Sequence, residues 1–465
     1  MLARVVHVTA HMGDGVGRVL RHFTAASQRS GPFLHEIYCL DYANAASVDW
    51  SRAAGIPVWG DMARDFATLA EAIHAADIVH IHWWNHPLIG AFLNCDDVPP
   101  QRTALWAHVS GHHAPHAFRD DLLDYADRFV LATPCSRQAP VLDSQSADWR
   151  DRHLRTVFAS AGFDHVADVQ PYAHQGFRVG YIGTVDYAKM HRDFLAMHAA
   201  ARIPGMQVVV CGGAREQDLR AEAKGAGWES RFDIRGPVRE IGSVLASLDV
   251  FGYPLAERHY GASEMALVEA MAAGVVPVVW NNACEREIVN HGRTGLVART
   301  ASEYTAALET LYEDGELRQR LAAAARQVAR ERFGIEHTVH RWHAIYDELR
   351  ELPKRPHSLA GDTARMSRHG RGTRLFLQSL QGTPEGRIFT HVLDGNCDRD
   401  VLARLSALEP VFHGTSNGSV RQYQRFFPDD PGLTRLAAAL DSSRRAPSVV
   451  AHLPGFASSI PVTQG

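Results

Sequence analysis

Cysteine is scarce in this chain of 465 residues, and the few cysteines present are scattered. No two of them form a CxxC pair, and they stand at Cys39, Cys95, Cys135, Cys211, Cys284 and Cys397. This spacing excludes a disulfide framework and a zinc ribbon, which need closely paired or regularly spaced thiols. We therefore expect a protein of a reducing compartment.

An excess of basic residues is also missing. The 48 Lys plus Arg residues are outnumbered by 52 Asp plus Glu residues, which gives a formal net charge of -4. Proteins that bind nucleic acid through their backbone phosphates carry a basic surface instead. Nucleic acid is therefore not a predicted partner.

Long apolar runs are absent as well. The longest, at 207–213 and 270–280, fall well short of the ~18 residues that a helix needs to cross a bilayer. His7 and Asp14 interrupt the amino-terminal segment before a signal peptide could form. The sequence predicts a cytoplasmic protein, with any membrane contact peripheral and at the inner face of the membrane.

Short strand-like and helix-like segments alternate along most of the chain. Hydrophobic residues make up 46% and charged residues 22%, which is typical of a folded globular protein. At roughly 150 residues per domain, the length suggests two or three folded units. Because βαβ units build parallel sheets with helices on both faces, we expect an α/β fold with doubly wound domains.

Two changes of pattern divide the chain. A polar stretch near 164–176 and a proline-terminated helix ending at Leu352 predict an amino-terminal domain at 1–170, a second domain at 171–352 and an extension at 353–465. The extension has 14 basic and 9 acidic residues, a local +5 that leaves -9 elsewhere. We expect it to pack partly on the first domain. Its basic opening, 354–374, is either a binding surface for an anionic acceptor, membrane or partner, or a solvated linker.

Two segments carry residues suited to ligand binding. Gly15 and Gly17 follow the first strand where a helix begins, so a ligand could approach backbone N–H groups there. Glu269 lies in a strongly apolar helix, for which Ser263 is the expected amino-terminal cap. A carboxylate in such a helix needs a partner, either the hydroxyls of a ribose or a neighbouring cation.

The segment EAMAAGVVPVV resembles the donor-site helix of retaining GT-B glycosyltransferases, in particular glycosyltransferase family 4. GDGVGRVL, DIVHIHWW, WAHVSG, VGYIGTVDYAK and IRGPV resemble other family segments in the same order, so that the resemblance covers about residues 1 to 350. It implies a GT-B fold, in which two Rossmann-like domains face a cleft, and transfer of a sugar from a nucleotide-diphosphate sugar with retention. It implies no cofactor and no bound metal.

The resemblance also implies roles for individual residues. Lys189 would bind the donor diphosphate, Glu269 the ribose, and His108 would face the reacting sugar; with Glu264, His108 and Lys189 form the predicted catalytic set. The predicted substrate-binding set is Gly15, Gly17, Thr184, Val238, Gly261, Ser263 and Glu269.

The chain departs from the family at two of these positions. Gly261 stands where the family often has the first of two glutamates eight residues apart, and Glu264 lies three residues later. Thr184 replaces an arginine that is paired with the lysine in the family. The negative charge of the donor diphosphate would then be neutralised by Lys189 together with Arg258 or His259.

Several alternatives stay open at this point. The departures suit a catalytically silent GT-B-fold protein with a binding or regulatory role, and a nucleotide-sugar 2-epimerase shares the architecture. The acceptor could be a glycan, a lipid-linked molecule or a small molecule.

The many histidines could suggest a metal, but the spacing of His80, His82 and His108 does not complete a ligand set. Finally, Trp83, Trp84 and Trp106 could stack on a sugar or pack in the core.

Overall fold

A computed structural model describes residues 2–172, 174–359 and 368–445. Its first half is built on a seven-stranded parallel sheet in the order β3-β2-β1-β4-β5-β6-β7. The strands are β1 Ala3–Thr9, β2 Phe33–Cys39, β3 Val58–Trp59, β4 Ile78–Trp83, β5 Thr103–Ala107, β6 Arg128–Leu131 and β7 Leu154–Thr156.

A second parallel sheet of six strands follows, in the order β10-β9-β8-β11-β12-β13. Its strands are β8 Arg178–Ile182, β9 Gln207–Cys211, β10 Phe232–Gly236, β11 Val250–Tyr253, β12 Val276–Trp280 and β13 Leu296–Ala298. The central strands of both sheets are largely buried because helices cover both faces of each sheet, and they are mainly apolar apart from His7, His80 and His82.

Helices connect the strands and then close the two-sheet region. Those of the first half are α1 Asp14–Ser30, α2 Ala45–Ala54, α3 Phe66–Ala75, α4 Pro87–Leu93, α5 Asp120–Tyr125 and α6 Ala147–His153. Those that follow are α7 Phe194–Ala200, α8 Glu216–Gly225, α9 Ile241–Leu245, α10 Met265–Ala272, α11 Ala283–Ile288, α12 Ala301–Glu313, α13 Gly315–Phe333 and α14 Ile335–Arg350.

The strand order of each sheet reverses at its first strand. β1 lies between β2 and β4, and β8 lies between β9 and β11. In open α/β sheets, ligands bind outside the carboxyl ends of the strands at such a reversal. The segments that follow β1, β4 and β5 in one domain, and β8 and β11 in the other, are thus the places to look for a site.

Helix α14 falls within the predicted second domain, 171–352, but it packs on the first sheet. Trp342 and Tyr346 are fully buried in a cluster that also holds Val5, Phe23 and Trp106. The chain therefore crosses back to the first domain before the extension begins.

The extension at 353–465 is helical over the part that the structure describes. Its helices are Arg371–Ser379, Pro384–Leu393, Arg399–Ser406, Pro410–His413, Val420–Phe426 and Pro431–Arg445. Asn94 of the first domain donates to Gln378 at 2.9 Å, and Tyr423 donates to Asn85 at 2.9 Å. The expected packing on the first domain is confirmed.

The basic opening of the extension is described only in part, because 360–367 lie outside the described residues. Lys354 donates to the carbonyl of His74 at 2.7 Å, and Arg355 pairs with Asp127 at 2.6 Å. These two cations therefore serve packing on the first domain. None of the helices in the described residues is both long and apolar enough to span a bilayer.

Candidate active site

Glu269 lies in the middle of α10 and is 2% exposed. Its Oε1 is 2.5 Å from Nη2 of Arg18 and 3.4 Å from Nε2 of His165. Arg18 belongs to α1 of the first domain, so this ion pair joins the two domains. In this structure, the partner of the Glu269 carboxylate is therefore a cation, Arg18.

The glycines before Arg18 lie at the start of α1, which begins at Asp14. A Cβ atom on Gly17 would lie 2.3 Å from the carbonyl oxygen of Met12, so only glycine fits there. A Cβ on Gly15 would meet nothing within 4 Å. Gly17 thus lets the chain fold closely against α1, while Gly15 leaves space beside the first turn of the helix.

Lys189 and Glu264 form a buried ion pair between the segments that follow β8 and β11. The ammonium nitrogen is 3.0 Å from Oε2 of Glu264, which also accepts a hydrogen bond of 2.7 Å from Tyr253. Glu264 is 4% exposed and has a φ of 34°, a left-handed conformation that costs free energy in a non-glycine residue. Three elements of the second domain therefore hold this carboxylate.

The ion pair keeps both groups charged. Burial alone would lower the pKa of Lys189, but the neighbouring Glu264 carboxylate dominates and raises it. Burial alone would raise the pKa of Glu264, but the neighbouring Lys189 and His259 dominate and lower this pKa. At neutral pH the site thus holds an ammonium and a carboxylate together.

Gly261 and Glu264 share one space. A Cβ atom on Gly261 would lie 1.6 Å from Oε1 of Glu264, so the Glu264 side chain folds back over Gly261. His259 completes this cluster, with Nε2 at 3.0 Å from Glu285 Oε1 and Nδ1 accepting from the Gly261 N–H at 3.0 Å. The carboxylate missing at position 261 is therefore replaced in space by that of Glu264.

The expectation that Ser263 caps α10 is wrong. The residue at the cap is Glu264, which makes no side-chain capping bond. The Ser263 hydroxyl instead donates to the carbonyl of Ala132 at 3.0 Å and accepts from the N–H of Ala159 at 3.3 Å. Both partners lie in the first half of the chain, so Ser263 ties the turn before α10 to the first domain.

Thr184 and Val238 lie at the edge of this region. The carbonyl of Thr184 accepts from the Tyr181 hydroxyl at 2.8 Å. Val238 is half-buried and packs on the core of the second domain. Among the described residues, no hydrogen bond or ion pair joins either side chain to Glu264 or Glu269, so their substrate-binding roles stay predictions.

His108 follows β5 and is half-buried. Its Nε2 is 2.9 Å from Nδ1 of His82, and two residues later the N–H of Ser110 donates to the carbonyl of Tyr260 at 3.1 Å. That bond connects the loop after β5 with the loop that carries His259 and Gly261. The structure thus brings His108 to the side of the cleft that faces the second domain.

Within the described parts of the chain, two triads of side chains bring three potential metal ligands within 4.8 Å of one another: His7, His80 and His82, and His259, Glu264 and Glu285. In the first triad, both nitrogens of His7 are hydrogen-bonded to other imidazoles. In the second, Lys189 already supplies a positive charge to Glu264. Neither donor set favours a metal, and the expectation of none stays a prediction.

Sequence reasoning did not assign site roles to Arg18, His165, Tyr253 or Glu285. Arg18 stands in GDGVGR and could have been found as a cation at the start of a helix that faces the cleft.

Arg258, the alternative phosphate ligand, lies 3.4 Å from Glu385 and 3.6 Å from Glu409 of the extension. The three tryptophans Trp83, Trp84 and Trp106 are all buried, so the structure favours packing for them.

Two parallel-sheet domains that meet at the carboxyl ends of their strands define the GT-B fold, and solved structures share it. HepE of Anabaena, solved in complex with UDP and glucose, matches with a TM-score of 0.58 and 17% identity, over 74% of this chain and 100% of that one. Sucrose-phosphate synthase from Thermosynechococcus elongatus matches with a TM-score of 0.58 and 14% identity, over 75% and 99% of the two chains. The predicted GT-B fold is confirmed.

The second domain matches a protein family by sequence. Residues 176–314 match the family model described as Glycosyl transferases group 1. A curated relative, 2-deoxystreptamine N-acetyl-D-glucosaminyltransferase of Niallia circulans, is 27% identical over 122 residues, which are 25% of this chain and 31% of that protein. The match thus spans about a third of the relative's length, and it supports a glycosyltransferase domain in this part of the chain.

Proposed function

We propose that this protein transfers a sugar from a nucleotide-diphosphate sugar to an acceptor hydroxyl, with retention of configuration at the anomeric carbon. The observation that carries the proposal is the buried Lys189–Glu264 pair, which lies in the segment that matches Glycosyl transferases group 1. The neighbouring α10 brings Glu269 to the same cleft. A structural neighbour solved with UDP makes UDP-sugars the first donors to test.

Lys189 and Glu264 would each stabilise one of the two charges that develop during the reaction. When the sugar–phosphate bond breaks, negative charge develops on the leaving diphosphate and positive charge at the anomeric carbon. A preformed ammonium stabilises the first charge and a preformed carboxylate the second, and neither has to reorganise during the reaction. Lys189 would bind the diphosphate, and Glu264 would face the sugar.

Buried carboxylate oxygens without partners support a binding place for the sugar hydroxyls beside Glu264. Oε1 of Glu264 and Oε2 of Glu285 are buried and have no hydrogen-bond partner among the described residues. Such atoms are ordinarily hydrogen-bonded, because burying an unsatisfied acceptor is costly. Hydroxyl groups of the donor sugar would satisfy them, while Glu269 would bind the ribose.

The test is release of nucleotide diphosphate from a panel of UDP-, GDP- and dTDP-sugars, with mixed glycan, lipid-linked and small-molecule acceptors. We expect Lys189→Ala to lower turnover on the order of 10²-fold or more, because the lost charge acts mainly in the transition state. Lys224→Ala, at an exposed position on α8, is the control and should match the wild type.

Removal of Lys189 alone leaves Glu264 as an unpaired buried charge, which could unfold the protein. The double variant Lys189→Met with Glu264→Gln removes both charges and retains the packing, so it should fold and still be inactive. Wild-type turnover by a folded Lys189 variant would refute the assignment of the phosphate site. A sugar changed in configuration without nucleotide release would indicate an epimerase instead.

A further inference from the structure

Five histidines and one serine form a continuous hydrogen-bonded chain through the first domain. His108 Nε2 lies 2.9 Å from His82 Nδ1, and His82 Nε2 lies 3.0 Å from His7 Nδ1. His7 Nε2 lies 2.8 Å from His35 Nδ1. The Ser27 hydroxyl then lies 2.8 Å from both His35 Nε2 and His343 Nε2. We call these six side chains the histidine relay.

The histidine relay crosses one face of the first sheet. Its members on β2, β1, β4 and at the end of β5 stand on neighbouring strands in that order. Helices α1 and α14 cover this face and contribute Ser27 and His343. The surrounding side chains are mainly aromatic, including Phe23, Trp106 and Trp342. The relay is therefore a polar path through an otherwise apolar layer.

The two nitrogens of each inner imidazole have distinct directions. In His82, His7 and His35, Nδ1 faces the neighbour nearer the cleft and Nε2 faces the neighbour farther from it. A single neutral tautomer, repeated in all three rings, therefore satisfies every hydrogen bond. With Nε2 protonated in these three rings, the Ser27 hydroxyl accepts from Nε2 of His35 and donates to the unprotonated Nε2 of His343. With every Nδ1 protonated, the whole chain donates in the opposite direction.

The two ends of the relay are less buried than its middle. His7, His35 and His82 are fully buried, whereas His108 and His343 are half-buried. The Nδ1 atom of His108 has no hydrogen-bond partner among the described residues and is the end nearest the second domain. At the other end, Gly31 makes room for His343, because a Cβ there would lie 2.3 Å from the ring. The path thus runs along one face of the sheet, from the cleft to the half-buried His343 on α14.

We propose that the histidine relay accepts the proton that the acceptor hydroxyl loses during sugar transfer. This rests on the proposed function. As the acceptor oxygen bonds to the anomeric carbon, the carbon–oxygen bond to the diphosphate breaks and its electron pair leaves with the diphosphate. The acceptor proton passes to Nδ1 of His108. The Nε2 protons of His108, His82 and His7 each move to Nδ1 of the next ring, and the Nε2 proton of His35 moves to the Ser27 oxygen. The Ser27 hydroxyl proton then moves to Nε2 of His343, and the proton on Nδ1 of His343 leaves for water.

The relay returns to its first state by the reverse transfer. After the forward transfer, His82, His7 and His35 all carry the proton on Nδ1, and closely packed rings cannot turn over easily. When the products leave and water enters the cleft, a proton enters at His343 and another leaves from Nδ1 of His108. While the cleft is occupied, the rings therefore stay protonated on Nδ1. The reverse transfer restores the first state without rotation of any ring.

The inner rings are suited to this role because they stay neutral. Burial lowers the pKa of His7 and His82 well below the ordinary value, and it lowers the pKa of His35, and of His108 at the cleft end, to about 3. Among the described contacts of these rings, the polar partners are other histidines, Ser27 and, through His80, Tyr346. No carboxylate contacts them, so no imidazolium is trapped inside the chain.

Ser27→Ala tests the proposal because it removes one hydroxyl at the end of the relay far from the cleft. The matched control is Thr24→Val, which removes another buried hydroxyl of α1 whose partner is the carbonyl of Leu20 at 2.8 Å. General acid–base groups contribute about 10²- to 10⁴-fold to rates, and a relay cut at its far end should cost on the order of 10-fold in kcat. Thr24→Val should keep the wild-type kcat.

The solvent deuterium isotope effect provides a readout that packing alone would not change. A proton inventory on kcat should be curved for the wild type and Thr24→Val, because several protons move together, and linear for Ser27→Ala. Equal kcat values and equal inventories for the two variants would overturn the proposal. A wild type that is inactive with every donor would refute the proposed function instead.

Nitrogen NMR of ¹⁵N-histidine-labelled protein tests the relay without turnover. His7, His35 and His82 should be neutral at pH 7 and share one tautomer, and Ser27→Ala should perturb the His35 signals most. His80→Gln is the control, since His80 packs beside His7 but, among the described residues, its ring is hydrogen-bonded to Tyr346 and not to the relay. This variant should leave the shared tautomer unchanged. Mixed tautomers or a charged inner ring in the wild type would refute the relay.

Discussion

Glu264 shows how one residue compensates for a substitution at another position. The family resemblance implies a carboxylate at the position of Gly261, and the structure places the Glu264 carboxylate against that glycine. The position of Glu264 in the chain could be predicted, but the direction of its side chain could not. That direction depends on a left-handed backbone at Glu264 and on bonds to Lys189 and Tyr253, residues distant in sequence.

Glu269 gives a prediction at the residue scale. Glu269→Gln keeps the side-chain volume but loses the charge that, in the proposed function, would bond to the ribose hydroxyls. A hydrogen bond to a charged group is worth about 1.5–3 kcal/mol. We expect kcat/KM for the donor to fall about 10- to 100-fold. Arg18 is 28% exposed and can be solvated, so the melting temperature should change little.

Glu309→Gln is the control for this variant. Glu309 also bonds to an arginine, Arg202 at 3.1 Å, but it lies on α12 away from the cleft. Its donor kinetics should match those of the wild type. Near-normal transfer by Glu269→Gln would remove the ribose-site assignment.

At the scale of elements, the alternation of short apolar runs predicts most of the fold. Segments such as 178–182, 207–211 and 276–280 are short apolar runs in the sequence, and they are strands in the structure. The strands β3, β7 and β13 were not predicted, because two or three residues are too few to show a pattern. The path of α14 back to the first sheet also depends on tertiary packing rather than on local sequence.

The buried histidines of β1, β2 and β4 predict a steep loss of stability in acid. Burial lowers the pKa of His80 and its neighbours, so below the ordinary value of 6.5 the unfolded chain takes up protons that the folded chain does not. The free energy of unfolding should therefore fall as the pH falls from 6.5 towards 3. Each such histidine contributes about 1.4 kcal/mol per pH unit.

Denaturant unfolding between pH 7 and pH 5 measures this slope. His80→Gln removes one of these groups, so the slope should decrease by about 1.4 kcal/mol per pH unit. An unchanged slope would show that His80 is protonated in the folded protein or that the unfolded chain retains structure around it.

At the scale of the whole molecule, the extension connects both domains. Its apolar cluster includes Ala114 of the first domain and Ala188 of the second, and its carboxylates Glu385 and Glu409 pair with Arg258. Composition predicts an extension with a basic opening that packs partly on the first domain, but neither its fold nor its contacts with both domains. The reason is that contacts between distant segments leave no periodic signal in the sequence.

Truncation after Leu352 tests the structural role of the extension. Removing it would expose the apolar face of α4 together with Ala114 and Ala188, so we expect a clearly lower melting temperature. Donor binding should persist, because Lys189, Glu264 and Glu269 have no polar contact with the extension among the described residues. Unchanged stability and unchanged transfer would contradict a role for the extension in holding the domains.

The most direct test of sugar transfer in the cleft is an NMR time course with an accepted nucleotide sugar and acceptor. The anomeric proton of the donor should disappear while a glycoside of the same anomeric configuration appears, and the Lys189→Met/Glu264→Gln variant should give neither change. A first product of inverted configuration would contradict retention. No product from any donor and acceptor, in a correctly folded wild-type protein, would contradict the proposed transfer itself.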